Sequence, residues 1–437
     1  MKHLRLENFR CFRELDINFR SGVNLLIGDN ASGKTSLLKA CKHALNTFFA
    51  GFSDANTNWS SLKDDDFRRE VYNDWAAPEL PIRIYFTPSA AHYDGLEVPQ
   101  DSEELYLAKN SSKNSRTLIT GFRPFIRYAK ELQSTYWNRE SYQQRPLPLF
   151  AVFSTEDIHS TRSIRPELFT RYNAQPSFGY HECLNGRGLF PYWKKRLLVL
   201  EEGKKGHTER EVFRKAILSA LGESGCNIIS NVEIRTIIKK IAFTFTDKRE
   251  ATDDILPDGY MRLINIITDL ACRCSLLNGL LYGVDCMTRT RGTVIIDEID
   301  QHLHPSLQST VLRALRKTFP GLQFIVATHA PLVMSSIQND EESCVYLLSH
   351  SETDGYQIQL KNTYGMDVSA ITQDILSVPP RDRLVAIELS ALFSLISNHQ
   401  FAQAEEMLRT MREKYTDTIS ELTHAETMLQ LSRRALQ

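Results

Sequence analysis

The sequence predicts an α/β fold with a mixed and partly parallel sheet, a helical insertion and a helical C-terminal tail. A short apolar run at 23–27 stands between polar residues and has the composition of a buried central strand. Apolar runs at 293–296 and 323–327 flank a helix predicted over 305–319, which is the pattern of two parallel strands joined by a helix. Beyond residue 364 the apolar residues follow helical spacing and little strand signal remains.

The remaining elements follow from local patterning. Alternating apolar residues predict two strands before residue 20, and a helix is expected from Lys34 to about Phe49. The predicted strands after it are 82–86, 147–153 and the strand-like stretch 234–245; the predicted helices are 126–132, others up to about 230, a long one after Pro257, and three in the tail at 384–397, 401–415 and 419–436.

The chain has 437 residues, which exceeds one ordinary core and predicts several structural units. We expect a first lobe over 1–155, a helical lid or insertion over 156–232, a second lobe over 233–362 and a helical region over 363–437. With a net charge of -1, any contact with nucleic acid must come from a local patch or from a partner. The eight cysteines are scattered, so reduced thiols are expected. The start resembles no signal peptide and no stretch is expected to cross a bilayer, which predicts a cytoplasmic protein without a membrane partner.

The strongest motif is GDNASGKT at 28–35, which fits GxxxxGK[ST] and lies between a predicted strand and a predicted helix. Its glycines let backbone N–H groups converge at a helix N-terminus, where both the free donors and the dipole favour phosphate. Lys34 is expected to reach the β and γ phosphates of ATP, and Thr35 to ligate Mg²⁺. The predicted nucleotide-binding residues are Gly28, Asn30, Ala31, Ser32, Gly33, Lys34, Thr35 and Ser36.

A second group of polar residues follows the other two predicted parallel strands. The apolar run 293–296 ends in Asp297 and Glu298; Asp297 is expected to hold Mg²⁺ together with Thr35, and Glu298 to orient or deprotonate the attacking water. His329 follows the next strand, at the carboxyl edge where ligands of open α/β sheets bind, and is expected to sense the γ-phosphate. These residues together predict ATP hydrolysis.

Four segments carry a family resemblance: LENFRCF near the start, GDNASGKTS, IIDEIDQHLHP and ATHAP. Together they resemble the ABC-type ATPases of the SMC, RecF and OLD group. The resemblance implies a two-lobed P-loop ATPase head that works as a homodimer or higher homo-oligomer, with each nucleotide held between two heads. Its signature motif is best matched by LPDGY at 256–260, where Pro257 replaces the usual serine. The contact from the second head would therefore rest on Gly259 and the helix N-terminus, and turnover is expected to be slow.

Three smaller assignments accompany this resemblance. His302 and His304 fall in the turn that resembles the family's dimer-contacting D-loop; a metal site formed by them with Cys274 lacks a fitting further ligand and is disfavoured. The family's glutamine-loop residue stays open between Gln143 or Gln144 and the segment 65–68.

The middle segment from 163 to 193 and the tail resemble the anti-phage ATPases of the Septu type. Those proteins work with a separate HNH nuclease, and the related PARIS-type ATPases with a TOPRIM effector. The resemblance implies an ATP-binding and hydrolysing regulatory subunit of a defence complex that controls a nuclease partner. The alternative is a RecF-like repair ATPase that clamps DNA. A transporter ATPase subunit is disfavoured by the degenerate signature and the SMC-like opening.

A basic cluster with interleaved aromatic residues has two readings. It could grip nucleic-acid phosphates, or it could be a solvated helical face. Its members are Tyr192, Trp193, Lys194, Lys195, Arg196, Lys204 and Lys205.

Overall fold

A computed structural model describes most of the chain and divides it into two compact units, Met1–Ile371 and Thr372–Gln437. The boundaries predicted at 155 and 232 stay predictions. The described residues are 1–53, 59–69, 78–89, 93, 105–111, 116–137, 145–154, 176–186, 188–351, 353, 355–379, 381–415 and 419–435.

Thirteen strands are found in the described residues, and they form three sheets. The strands are β1 His3–Phe9, β2 Phe12–Asn18, β3 Val23–Ile27, β4 Ile82–Thr87, β5 Leu105–Lys109, β6 Leu149–Phe153, β7 Ile229–Arg235, β8 Lys240–Phe245, β9 Glu250–Thr252, β10 Gly292–Ile296, β11 Leu322–Ala327, β12 Cys344–Ser351 and β13 Gly355–Lys361. The sheet orders are β2-β1-β4-β5, β13-β12-β3-β11-β10-β6 and β7-β8-β9.

The α-helices of the described residues are α1 Lys34–Asn46, α2 Arg123–Trp137, α3 Phe190–Glu202, α4 His207–Leu221, α5 Asp258–Tyr282, α6 Cys286–Arg289, α7 Pro305–Gln308, α8 Val311–Thr318, α9 Pro331–Met334, α10 Val368–Ala370, α11 Arg383–Ser397, α12 Phe401–Tyr415 and α13 Ser420–Ala435. With the strands they give an α/β fold that ends in helices, which confirms the predicted fold class.

The six-stranded sheet carries the core of the larger unit. Strands β12, β3, β11, β10 and β6 pair in parallel, and only β13 runs antiparallel at the edge. Every residue of β3, β10 and β11 is buried, as expected for parallel strands that are covered on both faces. The predicted pair of parallel strands is confirmed, because Thr293 of β10 lies opposite Gln323 of β11.

The helix predicted between β10 and β11 is not continuous. The structure breaks the expected helix over 305–319 into α7 and α8. At the break, the hydroxyls of Ser309 and Thr310 donate back to the carbonyl of Ser306. Such side-chain bonds compete with the helical backbone pattern, which accounts for the interruption.

Helix α5 is the core helix of the larger unit. The helical stretch Asp258–Arg289 is long and apolar enough to cross a bilayer by length and composition alone, contrary to the prediction that no stretch meets this criterion. In the folded chain, 83% of its most apolar window is buried inside the protein, as is usual for a core helix of this composition.

A fully buried ion pair fastens the segment 176–193 to α5. Arg273 donates from Nε to Oδ2 of Asp269 at 2.6 Å, and each side chain is 1% exposed. The other carboxylate oxygen of Asp269 accepts from the indole N–H of Trp193 at 2.6 Å. Arg273 also donates to the carbonyl oxygens of Gly179 and His181. Nη1 of Arg273 and Oδ1 of Asp269 thus hold the neighbouring segment, while Nε and Nη2 of Arg273 bond to Asp269 within α5.

The basic cluster is mostly engaged within the protein. Arg196 makes a two-point ion pair with Glu209, and Lys194 pairs with Asp253. The rings of Tyr192 and Trp193 are buried and cannot stack on a base. These four residues therefore fit neither a phosphate-binding surface nor a solvated helical face, because their side chains are engaged within the protein.

The smaller unit, Thr372–Gln437, contains a three-helix core. Leu392 of α11, Ala404 of α12 and Ala425 of α13 are fully buried in it. Leu384 and Ile387, which the sequence places on the same apolar stripe as Leu392, are instead 68% and 56% exposed. The segment 363–371 belongs to the larger unit, although the sequence assigns it to the tail.

Candidate active site

The loop 28–35 has a backbone that requires small residues. Gly28 has a φ of 142°, and a Cβ built there would lie 2.1 Å from the carbonyl oxygen of Leu348. Gly33, with a φ of 95°, is the N-cap of α1, and Ala31 is also left-handed at 65°. The first turn of α1 itself carries no acidic side chain, and its free N–H groups and helix dipole favour an anion at this N-terminus. The loop therefore fits a phosphate group.

Lys34 lies buried inside this loop. Its ammonium group donates to the carbonyl oxygens of Gly28 and Asp29 at 2.9 and 2.7 Å, and to the hydroxyl of Ser32 at 3.3 Å. Burial lowers the pKa of Lys34 to about 8, against the opposing effect of Asp297 and other nearby carboxylates. A partly desolvated cation held only by neutral oxygens is well suited to exchange them for phosphate oxygens.

Thr35 and Asp297 meet although they are far apart in sequence. The hydroxyl of Thr35 donates to Oδ2 of Asp297 at 3.0 Å. Burial raises the pKa of Asp297, and the bond from Thr35 and the charge of Lys34 act in the opposite direction. A hydroxyl and a carboxylate are oxygen ligands of the kind Mg²⁺ prefers, and Mg²⁺ usually takes few protein ligands beside phosphates and water. The pair fits the predicted magnesium site.

Glu298 and His329 lie on the same edge of the sheet. Glu298 is the second residue after β10 and adopts a left-handed φ of 49°. His329 follows β11 and is half-buried; burial and then the charge of Lys34 lower its pKa, while Asp300 and Glu298 act in the opposite direction. The imidazole is therefore largely neutral near pH 7, and it can donate one hydrogen bond while accepting another.

Two further bonds connect these segments, and three of the four residues that make them, Arg10, Asp300 and Thr328, were not predicted as site residues. Thr328 donates a short hydrogen bond from its hydroxyl to the carboxylate of Asp300, which ties the turn after β10 to the turn after β11. Arg10 donates from Nε to the hydroxyl of Ser36 at 3.3 Å, which ties the β1–β2 turn to α1. The sequence signal that could have identified these residues is that they are polar and lie beside the recognised motifs.

Gly259 packs against the turn that follows Glu298. It is buried in the first turn of α5, and a Cβ built there would lie 2.2 Å from the carbonyl oxygen of His302. All the neighbours closest to that position belong to His302 and Leu303. The structure thus places Gly259 against the D-loop turn of its own chain, and a contact with the nucleotide of a second copy remains a prediction.

The open assignments have different outcomes. Gln143 and Gln144 lie outside the described residues. In the segment 65–68, Asp66 is buried and pairs with His43 and Arg10. Among the residues that the structure describes, no group of three or more His, Cys, Asp or Glu could hold a metal ion, so the site from His302, His304 and Cys274 is not formed.

This chain is similar to several known proteins along most of its length. The family described as "AAA domain, putative AbiEii toxin, Type IV TA system" matches residues 23–335. The Retron Vc95 probable ATPase of Vibrio cholerae is 31% identical and aligned over 92% of this chain and 82% of its own length. The Septu protein PtuA of Bacillus thuringiensis is 21% identical over 86% of this chain and 84% of its own. A solved SMC head bound to the C-terminal winged-helix domain of ScpA is 14% identical and covers 83% of this chain and 97% of its own, with a TM-score of 0.45.

The fold and these matches define an ATPase of the SMC/RecF-like ABC class with Septu-like relatives. The chain belongs to the AAA-domain family whose description is given above. Its matches also include the DNA replication and repair protein RecF, so the chain is an ATPase of the defence or repair type.

Replacing Lys34 with Ala should abolish tight ATP binding, because Lys34 is the only cationic side chain in the loop 28–35 that could meet the β and γ phosphates. Isothermal titration with ATP measures the effect. Lys39→Ala, on the same helix, is the matched control and should bind like the parent protein. Equal ATP affinity in the Lys34 variant and the control would show that the loop is not the nucleotide site.

ATP affinity should fall as the pH rises above 8. Burial holds the pKa of free Lys34 at about 8, and bound phosphates would raise it, so binding above that pH must take up a proton. The expected loss is about tenfold per pH unit. Titration calorimetry at pH 7 and pH 9, in two buffers of different ionisation heat, measures both affinity and proton uptake. The Lys34→Arg variant stays charged, so its ATP affinity should not change between pH 7 and pH 9. An ATP affinity of the parent protein that is also independent of pH would contradict the prediction.

Proposed function

We propose that this chain is the ATP-hydrolysing regulatory subunit of an anti-phage defence complex and that it controls a separate nuclease. The observation that supports hydrolysis is the convergence of Lys34, the bonded pair Thr35 and Asp297, Glu298 and His329 on one sheet edge. Lys34 would leave the loop carbonyls for the β and γ phosphates, and Thr35 and Asp297 would hold Mg²⁺, which offsets the charge of the phosphates.

Two residues have proposed roles in the chemical step. Glu298 orients the attacking water and accepts its proton, since it follows Asp297 directly at the end of β10. His329, kept neutral by its lowered pKa, donates a hydrogen bond to the γ-phosphate and so distinguishes ATP from ADP. Both roles require that the residues after β3, β10 and β11 meet at one edge of the sheet, which is also the condition for the bond between Thr35 and Asp297.

The active form is proposed to be a homodimer of heads or a higher homo-oligomer. In it, Gly259 and the N-terminus of α5 from one copy face the γ-phosphate held by the other. Pro257 cannot supply the hydroxyl that serine gives in related signature motifs, so slow turnover is expected.

The regulatory part of the proposal rests on the similarity to the Septu protein along most of both chains. The partner would be an HNH or TOPRIM nuclease, and the complex would act on nucleic acid in the cytoplasm.

The smaller unit is proposed to dock that nuclease or to hold the oligomer, and its exposed Leu384 and Ile387 offer apolar surface for either contact. The alternative, a RecF-like clamp on DNA, is favoured by the short match to RecF and would show ATP-dependent DNA binding without a nuclease.

Replacing Glu298 with Gln should preserve ATP binding and lower kcat about 100-fold or more, because the amide keeps the shape of the side chain but accepts no proton. Phosphate release measures the rate, and solution mass in the presence of ATP should show a trapped head dimer. Glu341→Gln, at an exposed position, is the matched control. Hydrolysis at the parental rate would exclude Glu298 as the base.

Deleting the residues after Ile371 should leave ATP binding intact and break assembly, because the cut falls between the two compact units. The solution mass of the variant is measured alone and mixed with the product of the neighbouring gene, the proposed nuclease. A milder variant, Leu384→Ser with Ile387→Ser, tests the exposed surface without truncation. A truncated chain that keeps the parental oligomer and still co-elutes with the nuclease would show that the smaller unit serves neither role.

A further inference from the structure

Arg262 lies one turn into α5 and points its guanidinium group at the turn after β10. Its side chain is buried, and Nη2 donates to two carbonyl oxygens, those of Asp297 and Glu298, each at 2.8 Å. Nη1 donates to the side-chain oxygen of Gln301 further along the same turn. All three of these acceptors are neutral oxygens.

The two carbonyl bonds constrain the backbone on both sides of one residue. The carbonyl of Asp297 belongs to the peptide plane before the Cα of Glu298, and the carbonyl of Glu298 belongs to the plane after it. Holding both planes fixes φ and ψ at Glu298, and with them the direction in which its Cα–Cβ bond leaves the chain.

This backbone needs such support. The φ of Glu298 is 49°, and a left-handed conformation at a residue with a Cβ costs roughly 1–2 kcal/mol. Strained conformations of this kind persist only where the surroundings hold them in place. The guanidinium fork can reach several oxygens at once, whereas a lysine in its place would offer one point of attachment.

Gly259 contributes to the same contact. It is on the first turn of α5 and approaches the carbonyl of His302, the far end of the turn that Arg262 holds. The start of α5 therefore follows the backbone from Asp297 to His302 closely, and its position is coupled to that of the turn.

We infer that Arg262 is a positioning residue for ATP hydrolysis, which acts on the reaction only by directing the side chain of Glu298. The inference rests on the proposed function of Glu298. Arg262 touches neither nucleotide nor water in this scheme. Its loss should therefore lower kcat and leave the binding of ATP unchanged, since a displacement of about 1 Å in a reacting group can cost on the order of 100-fold in rate.

A double-mutant cycle tests this inference. The four proteins are the parent, Arg262→Gln, Glu298→Gln and the double variant, and single-turnover hydrolysis and the Kd for ATP are measured for each. Arg262→Gln alone should lower the rate about tenfold or more, with Kd within about twofold of the parent. In the Glu298→Gln background the same change should cost less than about twofold, because the group through which Arg262 acts is already lost.

A general structural role gives a different result. It would lower the rate by the same factor in both backgrounds, or would weaken ATP binding, and either outcome overturns the inference. Arg273→Lys is the control, since Arg273 is a buried arginine on the same helix that bonds to Gly179 and His181. It should lower the unfolding temperature without any dependence on Glu298.

If the Arg262→Gln protein does not fold, Arg262→Lys replaces it in the same double-mutant cycle. It keeps a positive charge and should give a rate between those of the parent and the Gln variant, again only while Glu298 is present. A parent protein that fails to hydrolyse ATP would refute the proposed function itself. Parental hydrolysis with an unaffected Arg262→Lys protein would refute only the role of Arg262.

Discussion

The parallel pairing of β3, β11 and β10 is the constraint on which the site depends. Leu26 of β3 lies opposite Ala327 of β11, and Val326 lies opposite Ile296 of β10, so the three strands end at nearly the same level. Since parallel strands deliver their carboxyl ends to one edge, the three following turns meet there. The bond from Thr35 to Asp297 is the direct result, and a shift in register would separate the two side chains.

Helix α5 supplies the second constraint. Polar residues at spacings of three and four line one face of it, namely Arg262, Asn265, Asp269 and Arg273. The first holds the acidic turn after β10, and the other three hold the segment 176–193 through buried hydrogen bonds. Removing one partner of the buried ion pair would cost roughly 3–5 kcal/mol, because the other charge would be left buried and unpaired. The acidic turn and the segment 176–193 are thereby attached to one rigid element.

Much of the fold was predictable, and the failures have physical causes. The pair β10 and β11 was predicted because apolar runs of strand length flank a helical pattern. Strands β12 and β13 were not predicted; β13 lies at the sheet edge and contains no buried residue, so no buried face marks it in the sequence. The aromatic residues of the basic cluster looked available for stacking, but Trp193 is needed as the donor to Asp269. The hydrogen-bond partner of a side chain across the core cannot be predicted from the residues next to it in the sequence.

The sequence by itself determined the phosphate loop and the identity of the polar residues after each strand. Gly28 and Gly33 are required by local backbone geometry, and such requirements are written in adjacent residues. Only the tertiary structure decided that Arg262 holds the backbone of Asp297 and Glu298, that Thr328 bonds to Asp300, and that Gly259 meets His302. These contacts join residues about 30 to 40 positions apart, and no local conformational preference selects them. They form because close packing of α5 and of the turns at the sheet edge brings buried polar groups from distant segments within bonding distance.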